Sequence, residues 1–467
     1  MASASEQLAS NMNLGAFGKA KDLQQRILFT LFVLLIYRLG TFVPVPGIDI
    51  TYYTQIFASA SGGLLERGNM FSGGAVERMA VFALNVMPYI TASIVMQMMK
   101  KTVPSLVVLD KDGGQQGRQQ INQYTRYLTV FLAIFQAYGI AKLLQIPAQG
   151  TGQTAAINPG LFFEATCVVT LVGGTMFLMW LGEQITARGV GNGVSLIIFA
   201  GIVAELPRAI YQVIGLGSDG SVAGSLIVII LAMSVALTLL IVFVERAQRR
   251  LLVQYPKRQM AGGKQFGGQN SFLPLKINTA GVIPPIFASS LLLLPATAGQ
   301  MFAGSQAVPG ADGATEASGS VFQTAMAFIG YGSPLYLTLY GVLVIFFCFF
   351  YTSFVFDSEQ VSDNLRKQGG FLPGIRPGAR TQEYLNYVLN RLTLIGALYV
   401  AFVCVLPEYL ISQNKEIPPS VGMLIGGMSL LIIVSVTIDT VTQIQSHLIA
   451  HQYEGLIKKS KMRRRRR

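Results

Sequence analysis

Val86-Met87-Pro88-Tyr89-Ile90-Thr91-Ala92-Ser93 returns as Val282-Ile283-Pro284-Pro285-Ile286-Phe287-Ala288-Ser289, with five of the eight positions identical. Both stretches lie in apolar runs. In each, proline removes an amide donor and crowds the preceding turn, which marks a helix interrupted at the same point. A second pair follows in the same order, Gly193-Val194-Ser195-Leu196-Ile197-Ile198 with Gly427-Met428-Ser429-Leu430-Leu431-Ile432. The solvent for this repeat is set by composition: 52% of the 467 residues are hydrophobic and 12% charged, with mean hydropathy +0.50. A water-soluble chain of that length does not carry such a balance, so the repeat belongs in a bilayer.

Crossing roughly 30 Å of hydrocarbon takes about 20 mostly apolar residues. Such runs predict spans at 24–43, 86–100, 124–144, 161–181, 194–214, 223–244, 279–299, 334–356, 391–410 and 421–441. The first run follows Lys19 and Lys21 and has no small-residue cleavage site after it, so it reads as a span rather than a removable signal. Lysine and arginine are retained on the cytoplasmic side. With the N-terminus inside, 29 of the 35 fall on cytoplasmic segments, which leaves Arg38, Arg67, Arg78, Lys142, Arg208 and Lys415 on outer loops or near span ends. Both termini are then cytoplasmic. The expected fold is an all-α polytopic membrane protein of ten transmembrane helices. Because the matched segments lie five spans apart, an odd number, the second half enters the membrane the other way up, giving two pseudo-symmetric inverted halves. The division is a cytoplasmic N-terminus at 1–23, an N-terminal half at 24–215, a C-terminal half at 216–445 and a basic tail at 446–467.

The second span is short. Val86 to Met99 makes 14 residues, about 21 Å of helix at 1.5 Å per residue. Ahead of it runs Phe71-Ser72-Gly73-Gly74-Ala75-Val76-Glu77-Arg78-Met79-Ala80-Val81-Phe82-Ala83-Leu84, helix-like after the glycines but carrying adjacent charges that lipid would penalise. It is expected either to dip into a cavity open to the outside, where protein or water receives irregular backbone, or to form a surface helix in the outer loop. Asn85 and Pro88 mark its boundary with the span.

Where the interrupted spans meet their five-span counterparts, the available residues are Val86, Ile90, Val194, Ile198, Ile286 and Ile432, all branched aliphatics. They read either as ordinary core or as a ring that closes a narrow neck by dewetting. Other chemistry is scarce. Gly189-Val190-Gly191-Asn192-Gly193 resembles a phosphate loop but follows no strand, so it reads as a tight turn. Cys167, Cys348 and Cys404 lie inside apolar runs as packing residues, and nothing completes a metal site around His447 and His451. No catalytic set and no cofactor motif is found. The sequence places Asp439 near a cytoplasmic span end where water reaches it.

The net charge of +13 follows from orientation, yet two cytoplasmic segments exceed what orientation needs. One is 245–278, with Arg246, Arg249, Arg250, Lys257, Arg258, Lys264 and Lys276; the other is 357–390. Loops of that length dock partners, and basic charge suits an acidic protein or ribosomal RNA surface. The Arg463 to Arg467 run reads as a contact for anionic lipids or as a solvated tail.

Met70-Phe71-Ser72-Gly73-Gly74-Ala75, Met87-Pro88-Tyr89-Ile90, Gly182-Glu183-Gln184-Ile185-Thr186 through Gly193, Ala280-Gly281-Val282-Ile283-Pro284 and Pro373-Gly374-Ile375-Arg376-Pro377-Gly378 together resemble the SecY/Sec61-alpha family, the channel-forming subunits of the Sec protein translocase. The resemblance covers almost the whole chain. It implies a clamshell around an hourglass pore, with 71–84 as a plug, the six aliphatics as the pore ring, and a lateral gate between the second and seventh spans at Pro88 and Pro284-Pro285. It implies passage of unfolded secretory polypeptides and release of membrane spans into lipid, with energy from a partner. The implied partners are the small membrane subunits SecE and SecG, the SecA ATPase or the ribosome at the basic loops including Arg376, and signal-sequence-bearing polypeptides. Two departures stand out. Ala261-Gly262-Gly263-Lys264 replaces a second basic pair near the tip of the first loop, and Val86 and Val194 stand where isoleucine is common.

Two rivals weigh against this reading. A secondary transporter shares inverted repeats and interrupted helices but places ionisable groups at the midplane. A membrane-embedded enzyme needs a catalytic set.

Overall fold

The computed structural model describes residues 20–59, 64–111, 113–145, 154–218, 224–255, 258–259, 265–266, 270–292, 333–413 and 426–465. In chain order the elements begin with α1 (Lys21–Gly40), α2 (Ile50–Ser59), α3 (Leu64–Ser72), α4 (Met87–Thr102), α5 (Pro104–Lys111), α6 (Gly114–Leu144), α7 (Leu161–Arg188), α8 (Gly193–Ser218) and α9 (Gly224–Arg246). Strands β1 (Gln248–Gln254), β2 (Arg258–Gln259), β3 (Gln265–Phe266) and β4 (Asn270–Lys276) follow. Then come α10 (Ile283–Leu292), α11 (Pro334–Val355), α12 (Ser358–Lys367), α13 (Ala379–Gln413) and α14 (Gly427–Arg465).

Eight helices among the described residues are long and apolar enough to cross a membrane: α1, α6, α7, α8, α9, α11, α13 and α14. The two remaining expected spans are the proline-marked ones. Helix α4 has 16 residues, about 24 Å, and α10 is described over Ile283–Leu292. Neither is kinked by its proline. Pro88 stands in the first turn of α4, and Pro284 and Pro285 follow the first residue of α10. There the missing amide costs nothing, because a first-turn amide has no partner within its helix. The interruption is thus a helix start preceded by non-helical chain.

Other helices overrun their apolar windows. Helix α6 starts at Gly114 and α13 at Ala379, ahead of the windows at 124 and 391, and α14 continues to Arg465. Hydropathy marks only the part that faces lipid, whereas a nucleated helix propagates through polar residues at little cost.

The two halves repeat one packing pattern. Gly174 of α7 is pressed against the carbonyl of Val81, and Gly396 of α13 against the carbonyl of Ile277. Val81 and Ile277 each stand five residues ahead of the valine that opens the repeated stretch. Likewise Gly193 and Gly427, the first residues of α8 and α14, lie against the carbonyls of Gly182 in α7 and Val403 in α13. A β-carbon at any of these four glycines would overlap the facing carbonyl.

The segments expected as long loops are folded, which adds a small sheet to an otherwise helical chain. Strand β1 pairs antiparallel with β4, from Gln248 opposite Lys276 to Gln254 opposite Asn270, and β2 pairs with β3. Strand alternation buries Leu251 and Val253, while Arg249 and Arg250 are exposed. Gln254 exchanges backbone hydrogen bonds with Phe371 at 2.9 and 3.0 Å, which joins the two basic segments. Leu251, Val253, Leu275 and Leu372 then pack with Leu385, Val388 and Leu389 on the extension of α13. Lys257 and Lys264 lie outside the described residues, and Arg258 falls on β2. Arg376 is exposed, in a turn held by a hydrogen bond from Thr381 Oγ1 to its carbonyl at 3.0 Å.

Candidate functional site

A cavity of about 590 Å³ lies between α4 and α10, walled also by α6, α7, α8 and α11. One wall is polar, carrying Gln97, Lys100, Asn122, Arg126, Glu183 and Thr186; the other is apolar, with Val282, Ile283, Ile286, Phe287 and Tyr351. Arg126 holds Glu183 by two hydrogen bonds of 3.2 and 2.7 Å, and Lys100 pairs with Asp110 outside the cavity at 3.3 Å. A space with one polar and one apolar wall suits an amphipathic guest.

Ile90, Val194, Ile198 and Ile286 line this cavity. Val86 and Ile432 are fully buried beside them, and all six aliphatics belong to one apolar cluster. The structure therefore brings together the residues that the repeat nominated, from α4, α8, α10 and α14 and from the residue just ahead of α4. Across the interface α4 and α10 touch lightly, with Ser290 Oγ 3.9 Å from Met87 Sδ. Phe287 of α10 also meets Phe347 and Tyr351 of α11 edge to face.

Segment 71–84 closes the cluster from the other end, but not as the helix expected after the glycines. Helix α3 precedes them and ends at Ser72, and residues 73–86 run as successive turns. Gly73 and Gly74 take φ of 65° and 83° and stop the helix, and Met79 and Asn85, at 44° and 50°, prevent another from forming. Backbone groups that a helix would satisfy internally find other partners. Val81 donates to the Val43 carbonyl and Val45 to the Met79 carbonyl, each at 2.9 Å, while Tyr37 Oη donates to the Ser72 carbonyl at 3.1 Å. Asn85 Nδ2 donates to the Phe71 carbonyl. Phe71 and Phe82 pack into the cluster that contains the six aliphatics, and Ala83, Leu84 and Met79 pack into a second one with α6 and α7. Ala75 and Ala80 are fully buried, Val76 and Val81 partly so.

The two charges of this segment are held differently, Glu77 by an ion pair and Arg78 by an aromatic ring. Arg208 Nη1 and Nη2 donate to the two carboxylate oxygens of Glu77 at 2.8 and 2.9 Å. Asn69 Oδ1 accepts from the Glu77 amide at 2.9 Å. Burial would raise the Glu77 pKa, but the hydrogen bonds from Arg208 and Asn69 outweigh it and hold the carboxyl below its ordinary value. The Arg78 guanidinium lies over the Phe42 ring, 4.3 Å from its centroid.

Sequence reasoning singled out neither Glu183, Arg126, Glu205 nor Lys101. Lys101 Nζ, at the end of α4, donates to the Ser353 carbonyl at 2.8 Å and lies 4.0 Å from the Phe354 ring centroid on or beside α11. The available signal was charge within or beside apolar runs. The glycine turn at 189–193 was read correctly as a turn, and it is stitched in place: Asn192 Oδ1 caps α8 by accepting from the Val194 and Ser195 amides at 3.1 and 3.3 Å, and Gly191 donates to Gln443 Oε1 at 2.8 Å. Asp439, exposed as expected, pairs with Lys276 Nζ at 3.1 Å.

The model of the family described as SecY matches residues 80–441. The protein translocase subunit SecY of Rickettsia bellii is 47% identical over 444 residues, covering 95% of this chain and 98% of that one. Among solved structures, a SecY whose plug domain stabilises the closed state of the translocation channel and maintains a membrane seal superposes with TM-score 0.64 at 16% identity, over 91% of this chain and 92% of that one. Sec61 in the canine ribosome-channel complex from the endoplasmic reticulum does so with TM-score 0.60 at 17% identity, over the same shares. The apolar neck between α4 and α10, the near-complete match in sequence and the shared fold lead to one statement: this chain is a multi-pass membrane protein that belongs to the SecY family.

Proposed function

We infer that the chain is the central, non-catalytic subunit of a protein-conducting channel, in which unfolded polypeptide passes the six aliphatics and membrane spans leave sideways between α4 and α10. The observation that carries this is the gathering of Val86, Ile90, Val194, Ile198, Ile286 and Ile432 in one apolar cluster at the end of an amphipathic cavity. A transporter would need polar ligands there, and these side chains offer none. A neck of branched aliphatics dewets against ions while yielding to any side chain that passes.

In this reading residues 71–84 are the plug, and Pro88 and Pro284-Pro285 mark the facing edges of the lateral gate. Spans up to 215 form one half and residues 216–445 the other, inverted with respect to the first. Energy comes from a partner at the basic platform, a SecA-type ATPase or the ribosome, through Arg249, Arg250, Arg258 and Arg376 and through Lys257 and Lys264 of the tip. SecE and SecG are the small membrane partners, signal-sequence-bearing polypeptides are the cargo, and the arginine run Arg463 to Arg467 contacts anionic lipid. The site is the bacterial inner membrane, with both termini cytoplasmic.

The test traps a stalled secretory precursor bearing one cysteine against single cysteines at the six neck positions. Disulfides at the neck support the reading, and disulfides confined to lipid-facing positions such as Leu239 would overturn it.

A further inference from the structure

Three of the six basic residues that depart from the cytoplasmic charge bias, Arg38, Arg78 and Arg208, meet at one place, the outer side of segment 71–84. Arginines on that side oppose the rule that sets orientation, so their clustering calls for a local reason. The reason is visible on one face of α8. Gly201, Glu205 and Arg208 fall at i, i+4 and i+7, one stripe of a helix.

Each member of the stripe grips a different part of the segment. Gly201 permits backbone contact, since a β-carbon there would come within 2.7 Å of the Phe71 carbonyl and 2.9 Å of Tyr37 Oη. Glu205, buried, lies so close to Gly74 that a β-carbon on that glycine would stand 2.6 Å from its Oε1. Arg208 holds Glu77 in the two-pronged pair already described. Arg38 of α1 completes the set, donating to the Gly73 carbonyl at 2.6 Å and lying 3.6 Å from Glu205, which is itself 3.9 Å from Arg208. An isolated exposed ion pair contributes little, but this one is two-pronged, partly sheltered and tied to a buried carboxylate, the arrangement in which ion pairs hold geometry.

Among the described residues, the polar contacts of segment 71–84 run to Tyr37, Arg38, Val43, Val45, Asn69, Met70, Asn85 and Arg208, all in the first half of the chain. In the second half, residues of α10 and α14 share one apolar cluster with Phe71 and Phe82, and Ser429 Oγ of α14 lies 3.4 Å from Met70 Sδ, one residue ahead of the segment. We propose that the Gly201–Glu205–Arg208 face of α8, with Arg38 of α1, is an ionic catch that fastens the plug to the first half, so that plug release is a step separate from the parting of α4 and α10. This rests on the reading of residues 71–84 as the plug. When the halves separate, the apolar contacts to the second half slide apart while the catch keeps the plug in place. The plug leaves only when Glu77 exchanges Arg208 for water or for the passing chain.

The test uses the full channel complex in planar bilayers with four variants: Glu77→Arg, Arg208→Glu, the double exchange, and deletion of 71–84. Each single reversal is expected to raise resting ion leak about ten-fold, the population shift that ~1.4 kcal/mol gives, and the double exchange to return it toward the parent value. Release of membrane spans into lipid, which depends on the gate, should be unchanged in all three exchange variants. Where a reversal does not accumulate, Glu77→Gln and Arg208→Gln replace the reversals, with the same rise in leak expected. If deletion raises leak while no exchange variant does, the catch is overturned and the plug reading stands. If the double exchange leaks as much as the single reversals, the pairing is overturned as well. If deletion leaves leak unchanged, the plug reading itself fails.

Discussion

Asn85 and Gly281 adopt the same left-handed backbone conformation, φ 50° and 64°, at the same place in their halves, three residues ahead of Pro88 and of Pro284. Left-handed backbone costs an ordinary L-residue about 1–2 kcal/mol, glycine nothing, and asparagine less because its short amide bonds locally. Each site is fixed by an amide side chain. Asn85 binds the Phe71 carbonyl, and Asn278 accepts from the Gly281 amide at 3.1 Å and donates to its carbonyl at 3.2 Å. Two turns of one kind aim the two gate helices.

Gly281→Asn is therefore expected to be tolerated and Gly281→Val to cost about 1–2 kcal/mol, read as a lower unfolding midpoint of the purified complex in detergent. Equal midpoints for the two variants would count against the turn as the aiming element.

The four glycines seated on carbonyls make a sharper stability prediction. Gly427→Ala should destabilise by about 1–3 kcal/mol, the cost of forcing atoms into a packed site, because the new methyl meets the Val403 carbonyl. Gly173→Ala, next to Gly174 in α7 but with open space at the β-carbon position, is the control and should leave the midpoint unchanged.

At the neck, Ile90→Gly combined with Ile286→Gly opens a gap in the apolar cluster and should raise ion leak several-fold in planar bilayers. Unchanged conductance would remove these residues from the seal.

Lys101 clasps α4 to α11, the helix packed against α10 at the proposed gate. The Ser353 carbonyl it binds belongs to the last turn of α11, where carbonyls lack helical partners, and the Phe354 ring adds roughly 0.5–1 kcal/mol. Lys101→Met should let a defective signal sequence through about five-fold more often. Lys101→Arg should behave as the parent, and equal export in all three would dismiss the clasp.

Acid should loosen the plug. Glu77 titrates below its ordinary value of 4.5, so its pairing with Arg208 is fully present above that pH and is lost as pH falls through the lower, folded value. Leak measured against the pH of the outer chamber should be flat from 7 to about 5 and rise below about 4.5. Glu77→Gln should be leaky throughout and show no such rise.

On the cytoplasmic platform, Arg376→Glu is expected to impair motor-driven export more than membrane insertion, since the side chain is exposed and its turn is held by backbone groups rather than by its charge. Equal loss of both would indicate misfolding.

The sequence by itself determined the solvent, the all-helical class and the repeat, because hydropathy and the spacing of Pro88 and Pro284-Pro285 are local properties that survive without knowledge of contacts. It also nominated the six aliphatics, since all lie in the repeated stretches, where Ile90 aligns with Ile286 and Ile198 with Ile432. It misjudged segment 71–84, whose pattern after the glycines favours a helix. Only the tertiary structure decided otherwise, by offering its amides and carbonyls partners on α1, α3 and the chain at 43–45. The pairing of Arg38 and Arg208 with segment 71–84 was likewise hidden: the sequence flagged each as a charge on the wrong side, but Arg208 and Glu77, 131 residues apart, become neighbours only when α8 packs against that segment. Composition fixed where the chain lives, and packing fixed which of its charges have work to do.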